Sequence, residues 1–227
     1  MNFTYHALRI TNYQLGLIGY PLSHSLSPMI HRAALKACGL DGDYSLFPIH
    51  LEDKQGLKDL LTRVRAKQIH GLNVTIPHKQ NVIEFMDELT PTAKAIGAVN
   101  TIYLRDDKLI GDNTDAPGFL ADLKKFIGNR ELEIGKSALV LGAGGSARAV
   151  IYALLNHDWN ITISARRIEQ AKQLANSFPN YELRITNDAD LQPLTCDLIV
   201  NTTPLGMTPN IHASPLPEKL ILPSNVF

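Results

Sequence analysis

The sequence has no charge imbalance, little cysteine and no long apolar run. Lysine plus arginine equals aspartate plus glutamate, 22 each, so the formal net charge is zero. Proteins built to hold nucleic acid or an anionic membrane surface carry a basic excess, and this chain has none. Any anion must therefore be recognised by local groups. No run approaches the roughly eighteen apolar residues needed to span a bilayer. The segment Met1 to Ile10 lacks the apolar core of a signal peptide. The expectation is a cytoplasmic protein with no nucleic acid and no membrane among its partners. The only two cysteines are Cys38 and Cys196. Neither sits in a C-x-x-C or other metal-ligand spacing, so no metal is expected and both read as buried free thiols. Internal repeats and low-complexity stretches are also missing.

What is present is an ordinary globular composition, 44% hydrophobic and 19% charged over 227 residues, which supplies a sizeable core. That length is long for one domain and short for two large ones. Strand and helix patterns alternate along the chain, the signature of an α/β protein with mostly parallel strands. Strands are expected at Leu15–Ile18, Tyr44–Ile49 and Ile69–Ile76. Helices are expected from Pro28 to about Cys38, from Leu51 to about Arg65, and from Pro77 onward. Ala98–Leu104 and Leu109–Asp112 read as a hairpin turning at Asp106-Asp107. A helix follows over Ala116–Ile127, then a polar break at Gly128–Gly135. The second half is regular: strands at Ser137–Leu141, Asn160–Ser164, Tyr181–Ile185 and Asp197–Asn201, with helices over Ala147–Asn156 and Ile168–Ser177. Two domains are expected, residues 1–117 and 118–227. Asn225-Val226-Phe227 looks like the start of a further strand, so the second sheet reads as cut short.

Gly142-Ala143-Gly144-Gly145-Ser146-Ala147 fits G-x-G-x-x-G/A between an apolar strand and a helix, with another strand about twenty residues on. Gly142 permits the tight turn, Gly144 lets backbone approach a pyrophosphate, and Ala147 allows close helix–strand packing. The helix N-terminus offers N–H groups and a positive dipole end to phosphates. The competing reading is a turn that serves packing alone. At the end of the next strand an NAD site places an acid and an NADP site an arginine. Here the chain reads Ser164-Ala165-Arg166-Arg167. Two guanidiniums attract a 2′-phosphate, and Glu169 falls in the following helix turn. NADP is the expected cofactor.

Three clusters in the first half suit a polar substrate. In Gly19-Tyr20-Pro21-Leu22-Ser23-His24-Ser25-Leu26-Ser27-Pro28, Ser27 reads as a helix N-cap. Several hydroxyls at such a terminus can also bind a carboxylate. In Gly71-Leu72-Asn73-Val74-Thr75-Ile76-Pro77-His78-Lys79, Asn73 and Thr75 share one strand face. Lys79 would meet the positive end of the helix that Pro77 opens. That is an odd place for a structural lysine and a sensible one for a base. His78 reads as a surface or capping residue. The third cluster joins Ala98-Val99-Asn100-Thr101 to Gly111-Asp112-Asn113-Thr114-Asp115. Asp115 reads either as the N-cap of the helix at Ala116 or as a partner that orients Lys79.

At these residues the sequence resembles the shikimate dehydrogenase family. The match carries Gly19 through His31, Asn73 through Lys79, Gly97 through Thr101, Asn113-Thr114-Asp115, Gly142 through Ala149, and Asn201-Thr202-Thr203-Pro204-Leu205-Gly206-Met207, in the family's order. The resemblance implies an N-terminal α/β substrate domain followed by a Rossmann-type dinucleotide-binding domain. It implies reversible NADPH-dependent reduction of 3-dehydroshikimate to shikimate, within aromatic amino-acid biosynthesis. It implies a catalytic pair, Lys79 and Asp115. Carboxylate binding would fall to Ser25 and Ser27, and hydroxyl binding to Asn73, Thr75, Asn100 and Asp115. A monomer or homodimer is expected. The alternatives are a quinate or dual quinate/shikimate dehydrogenase, which Arg166-Arg167 disfavours where NAD is used, and a non-catalytic shikimate sensor. Two local departures stand out. The family's Asn-Arg-Thr becomes Ala165-Arg166-Arg167, and the glycine after Asn-Thr-Asp becomes Ala116-Pro117. Family members also continue into a strand bearing a tyrosine and into helices that supply a glutamine. A C-terminally shortened chain is therefore expected.

Overall fold

The computed structural model describes residues 12–128, 136–187, 191, 195–208, 210–218, 220 and 226. The chain forms two compact units. One comprises Met1–Thr90 with Val99–Asp112, the other Pro91–Ala98 with Asn113–Phe227. The expected polar break at 129–135 lies outside the described residues, as does all but one residue of the apolar stretch at 225–227.

The first unit is built on a six-stranded sheet in the order β2-β1-β3-β5-β6-β4. Its strands are β1 (Tyr13–Gly19), β2 (Gly42–Pro48), β3 (Gly71–Val74), β4 (Glu88–Leu89), β5 (Thr101–Arg105) and β6 (Lys108–Asp112). β2 and β3 run parallel to β1, and β5 runs antiparallel to both β3 and β6. The β5–β6 turn follows from chemistry: Asp106 and Asp107 have φ of 52° and 60°, the paired positive values a tight hairpin requires. Helix α1 spans Ser27–Ala37 and α2 spans Lys54–Arg65. The α2 start is set by Asp53, whose carboxylate accepts from the Gly56 N–H at 2.8 Å. Its buried face is Leu57, Leu60, Leu61 and Val64, the i, i+3, i+4, i+7 pattern of an amphipathic helix. Ile18, Leu72, Val82, Val99 and Ile102 are fully or nearly fully buried in this unit.

Three expectations for this unit are corrected. Pro77 does not open a helix. Residues 76–80 form a turn closed by the His78 N–H donating to the Thr75 carbonyl, and the next helical element is a 3-10 turn at Asn81–Phe85. Ser27 is not an N-cap. It is the first residue of α1, Leu26 holds the cap position, and no side chain caps the helix. Cys38 is exposed rather than buried, because it follows the last turn of α1, where Leu35 is the buried residue; Cys196 is partly buried and both thiols are free.

The second unit has a four-stranded parallel sheet in the order β10-β7-β8-β9. The strands are β7 (Ser137–Leu141), β8 (Asn160–Ser164), β9 (Arg184–Thr186) and β10 (Leu198–Asn201). Helices α5 (Gly145–Leu155) and α6 (Ile168–Asn176) follow β7 and β8, while α3 (Pro91–Ile96) and α4 (Asp115–Ile127) belong to the same unit. Val140, Ile151, Leu154, Ile161, Ile163 and Leu174 form the centre of its core. A second small cluster packs alanines closely, with Ala98, Ala116, Ala149 and Ala153 around Ile96. The chain runs outward from β7 through β8 to β9 and returns on the other side of β7 as β10. The gap between β7 and β10 is therefore the point where strand order reverses, where open α/β sheets bind ligands at the carboxyl ends of their strands. Among the described residues no helix is long and apolar enough to cross a membrane.

Candidate active site

In the first unit Ser27, Asn73, Asn100 and Thr101 are drawn, with Tyr44, into one hydrogen-bonded row. Asn73 on β3 stands opposite Leu17 of β1, and Tyr44 on β2 stands opposite Leu15 of the same strand. The two side chains meet across the sheet, and the Tyr44 hydroxyl donates to Asn73 Oδ1 at 2.8 Å. The Ser27 hydroxyl also hydrogen-bonds to this phenol. On the other side of Asn73, its amide approaches the Asn100 carbonyl and Thr101 Oγ1, both at 3.5 Å. Thr101 Oγ1 donates in turn to Asn100 Oδ1 at 3.0 Å. The row thus runs from the start of α1 to the start of β5. Ser25 lies just before it, its Oγ accepting from the Ser27 N–H at 3.3 Å. This is a local side-chain contact two residues back along the chain, and α1 itself has no side-chain cap.

Burial pushes the Tyr44 phenol up to about 12, against a smaller downward pull from the Ser27 hydrogen bond. Tyr44 is therefore a neutral donor at any working pH. His31, one turn into α1, stacks on its ring with centroids 4.3 Å apart and planes 9° apart. Burial holds the His31 imidazole below its ordinary value. Nothing local marked Tyr44 as more than a core residue of a strand. Its part in the row depends on β2 and β3 both flanking β1.

Thr75 and Lys79 sit at the carboxyl end of β3. The Thr75 N–H donates to the Ile18 carbonyl, and the Lys79 carbonyl accepts from the Val99 N–H at 2.7 Å. Both side chains are half-buried. Residues 76–80 form a turn rather than the start of an α-helix, so no α-helix dipole acts on Lys79 there. His78 is not a surface group: it is 1% exposed and its Nε2 contacts the Ile49 carbonyl at 2.7 Å. That contact ties the turn bearing Lys79 to the end of β2.

Asp115 belongs to the second unit, as the first residue of α4. The capping role expected of it falls to Asn113. The Asn113 Oδ1 accepts the N–H groups of Asp115 at 3.1 Å and Ala116 at 3.3 Å, and its amide donates to the Ala98 carbonyl at 3.0 Å.

The glycine-rich turn leaves β7 at Leu141 and enters α5 at Gly145. Gly142 has φ of +107°, and a Cβ there would lie 2.7 Å from Thr202 Oγ1. Only glycine is free of both the strain and the clash. Gly144 faces open space on the side where a Cβ would project, and no side chain caps α5. Ala143, Gly145 and Ser146 are partly buried around the turn, and Ala147 is fully buried against the sheet. At the end of β8, Ala165 is buried while Arg166 and Arg167 are exposed. Neither arginine enters an ion pair among the described residues. Glu169 is held by Lys172 at 2.8 Å. An uncapped helix start, an open glycine and two uncommitted guanidiniums fit a dinucleotide with an added phosphate.

Known proteins agree with this geometry. Residues 17–102 match the family model described as the shikimate dehydrogenase substrate binding domain, and residues 127–206 match shikimate / quinate 5-dehydrogenase. The chain belongs to the shikimate dehydrogenase family. Among its relatives, shikimate dehydrogenase (NADP(+)) of Shouchella clausii is 41% identical over 205 residues, which cover 89% of this chain and 73% of the relative. The Bacillus subtilis protein of the same name is 40% identical, with 88% of this chain and 71% of that one covered. The crystal structure of shikimate 5-dehydrogenase from Thermus thermophilus in complex with NADP(H) and shikimate superposes with a TM-score of 0.76 at 37% identity. It covers 90% of this chain and 73% of that one. The two family models fall along the same division: residues 17–102 lie mostly in the unit with the six-stranded sheet, and residues 127–206 in the unit with the four-stranded sheet.

Proposed function

We propose that this chain catalyses the NADP-linked interconversion of shikimate and 3-dehydroshikimate. The observation that carries this reading is the pair of exposed arginines at the end of β8, outside any ion pair among the described residues, beside an uncapped glycine turn in a member of this dehydrogenase family. The unit holding the six-stranded sheet takes the substrate, and the unit holding the four-stranded sheet takes the dinucleotide. The nicotinamide, when bound, supplies the hydride chemistry. The protein binds, orients and moves the proton. Ser25 and Ser27, at the start of α1, bind the substrate carboxylate. Asn73, Thr75 and Asn100 bind its hydroxyls. Lys79 Nζ takes the proton of the reacting hydroxyl in the oxidative direction and returns it in reduction, with Asp115 as the second member of the catalytic pair. Gly142 through Ala147 carry the pyrophosphate, and Arg166 with Arg167 the 2′-phosphate.

A Lys79→Ala variant tests the assignment at its centre. It should bind shikimate nearly as the parent does and lose most of its turnover. Unchanged turnover would remove Lys79 from the chemistry. A variant that loses binding and turnover together would make it a binding group instead.

A further inference from the structure

The motif Asn201 through Met207 belongs to the family signature but has no role in the reading so far. Its second residue touches the glycine turn from behind. β10 and β7 are paired in register, Asn201 opposite Leu141, and β7 and β8 likewise, Leu141 opposite Ser164. The peptide plane between Leu141 and Gly142 is the last one before the turn. Its N–H, on Gly142, donates to the Ser164 carbonyl at 2.7 Å. Its carbonyl, on Leu141, accepts twice from one residue: the Thr202 N–H at 3.0 Å and the Thr202 hydroxyl at 2.6 Å. One peptide plane is therefore held from both neighbouring strands. The Thr202 hydroxyl also fills the space a Cβ on Gly142 would take, 2.7 Å away. The missing side chain and the hydroxyl are complementary.

The place matters as much as the contact. β10 and β7 border the point where strand order reverses. A turn there must present its backbone to phosphates at a fixed depth, and glycines alone leave it free to tilt. The segment carrying Thr202 is itself rigidly tied. Asn201 Oδ1 accepts from the Thr203 N–H at 2.9 Å and the Thr203 hydroxyl at 2.7 Å, and the Asn201 amide donates to the Leu205 carbonyl at 3.0 Å.

We infer that the Thr202 hydroxyl is a positioning residue for the dinucleotide: by holding the Leu141 carbonyl it fixes the pitch of the Gly142 turn. The inference rests on the dinucleotide reading, so the test separates the two. NADPH is titrated into the full chain and its fluorescence followed, alongside thermal melting. The unaltered protein must bind NADPH; if it does not, the dinucleotide reading fails first. Given binding, Thr202→Val keeps the side chain's shape and removes the hydroxyl. It should weaken NADPH about tenfold, the scale of one lost hydrogen bond. Thr202→Ser, which keeps the hydroxyl, should bind close to the parent. Shikimate KM should stay unchanged in both. A valine variant that melts lower yet binds NADPH as the parent does would make the hydroxyl purely structural and overturn the inference. So would a serine variant as weak as the valine one. Should Thr202→Val not fold, Thr202→Ala is judged by the same criteria.

Discussion

Removing one hydroxyl from the substrate unit should have a cost that can be worked from the structure. In Tyr44→Phe the ring remains, 1% exposed and stacked on His31. Only the bond from the phenol to Asn73 Oδ1 and the contact with Ser27 are lost. A net hydrogen bond is worth about 1 kcal/mol, and an acceptor left partly unsatisfied adds to that. Asn73 is half-buried, so the total falls at about 1–2 kcal/mol. By the usual conversion this is about a five- to thirtyfold loss. It should appear in kcat/KM for shikimate, because Asn73 loses the group that holds its amide in line with Thr101. The KM for NADP should not move. The melting temperature should fall by only a few degrees, about 2–4 °C per kcal/mol for a chain of this size. Steady-state kinetics with each substrate varied in turn makes the measurement. A parent-like kcat/KM would refute the claim that the row acts as one unit. A rise confined to the NADP KM would refute its placement on the substrate side.

Three further outcomes follow from named contacts. Replacing Arg166 with serine should raise the KM for NADP at least tenfold and leave that for NAD nearly unchanged, since only the former carries the 2′-phosphate; equal effects on both would mean the arginine reads something else. Gly142→Ala should weaken NADPH binding strongly, because the positive φ and the 2.7 Å approach to Thr202 both oppose a Cβ, and equilibrium titration measures it. The third concerns acid stability. The Arg65 guanidinium, with the Leu109 N–H, holds Asp87 at about 2, through contacts of 2.7 and 2.9 Å. A carboxylate with a depressed folded-state value stabilises above its unfolded value near 3.9, and that stabilisation is lost as pH falls toward 2. The Asp87 side chain is 35% exposed, which cuts the contribution to about 1 kcal/mol. Denaturant melts of Asp87→Asn at neutral pH and near pH 3 should show a smaller gap from the parent at the lower pH, and a constant gap would contradict the pairing.

Much of the fold was legible because buried parallel strands read as apolar runs bounded by turn residues. Ser137–Leu141 and Asn160–Ser164 appear with the expected bounds, and the Asp106-Asp107 turn follows from two residues that tolerate positive φ. Pro77 misled because proline suits a tight turn as well as a first helical turn. Ser27 misled because Ser-Pro looks like a cap, while Ser25 in fact accepts the Ser27 N–H. The parts played by Tyr44 and by Thr202 were not legible for a different reason. Each acts across strands far apart in sequence, Tyr44 on Asn73 and Thr202 on Leu141. Strand order is a long-range property that local spacing does not encode. The motifs therefore located the site, while the sheet order decided which side chains support it.

The most direct test of the account is the appearance of NADPH when the purified chain is given shikimate and NADP. Turnover with this pair, well above that with NAD or with quinate, is the predicted result. Absence of turnover with every pairing, or faster turnover with quinate and NAD, would contradict it.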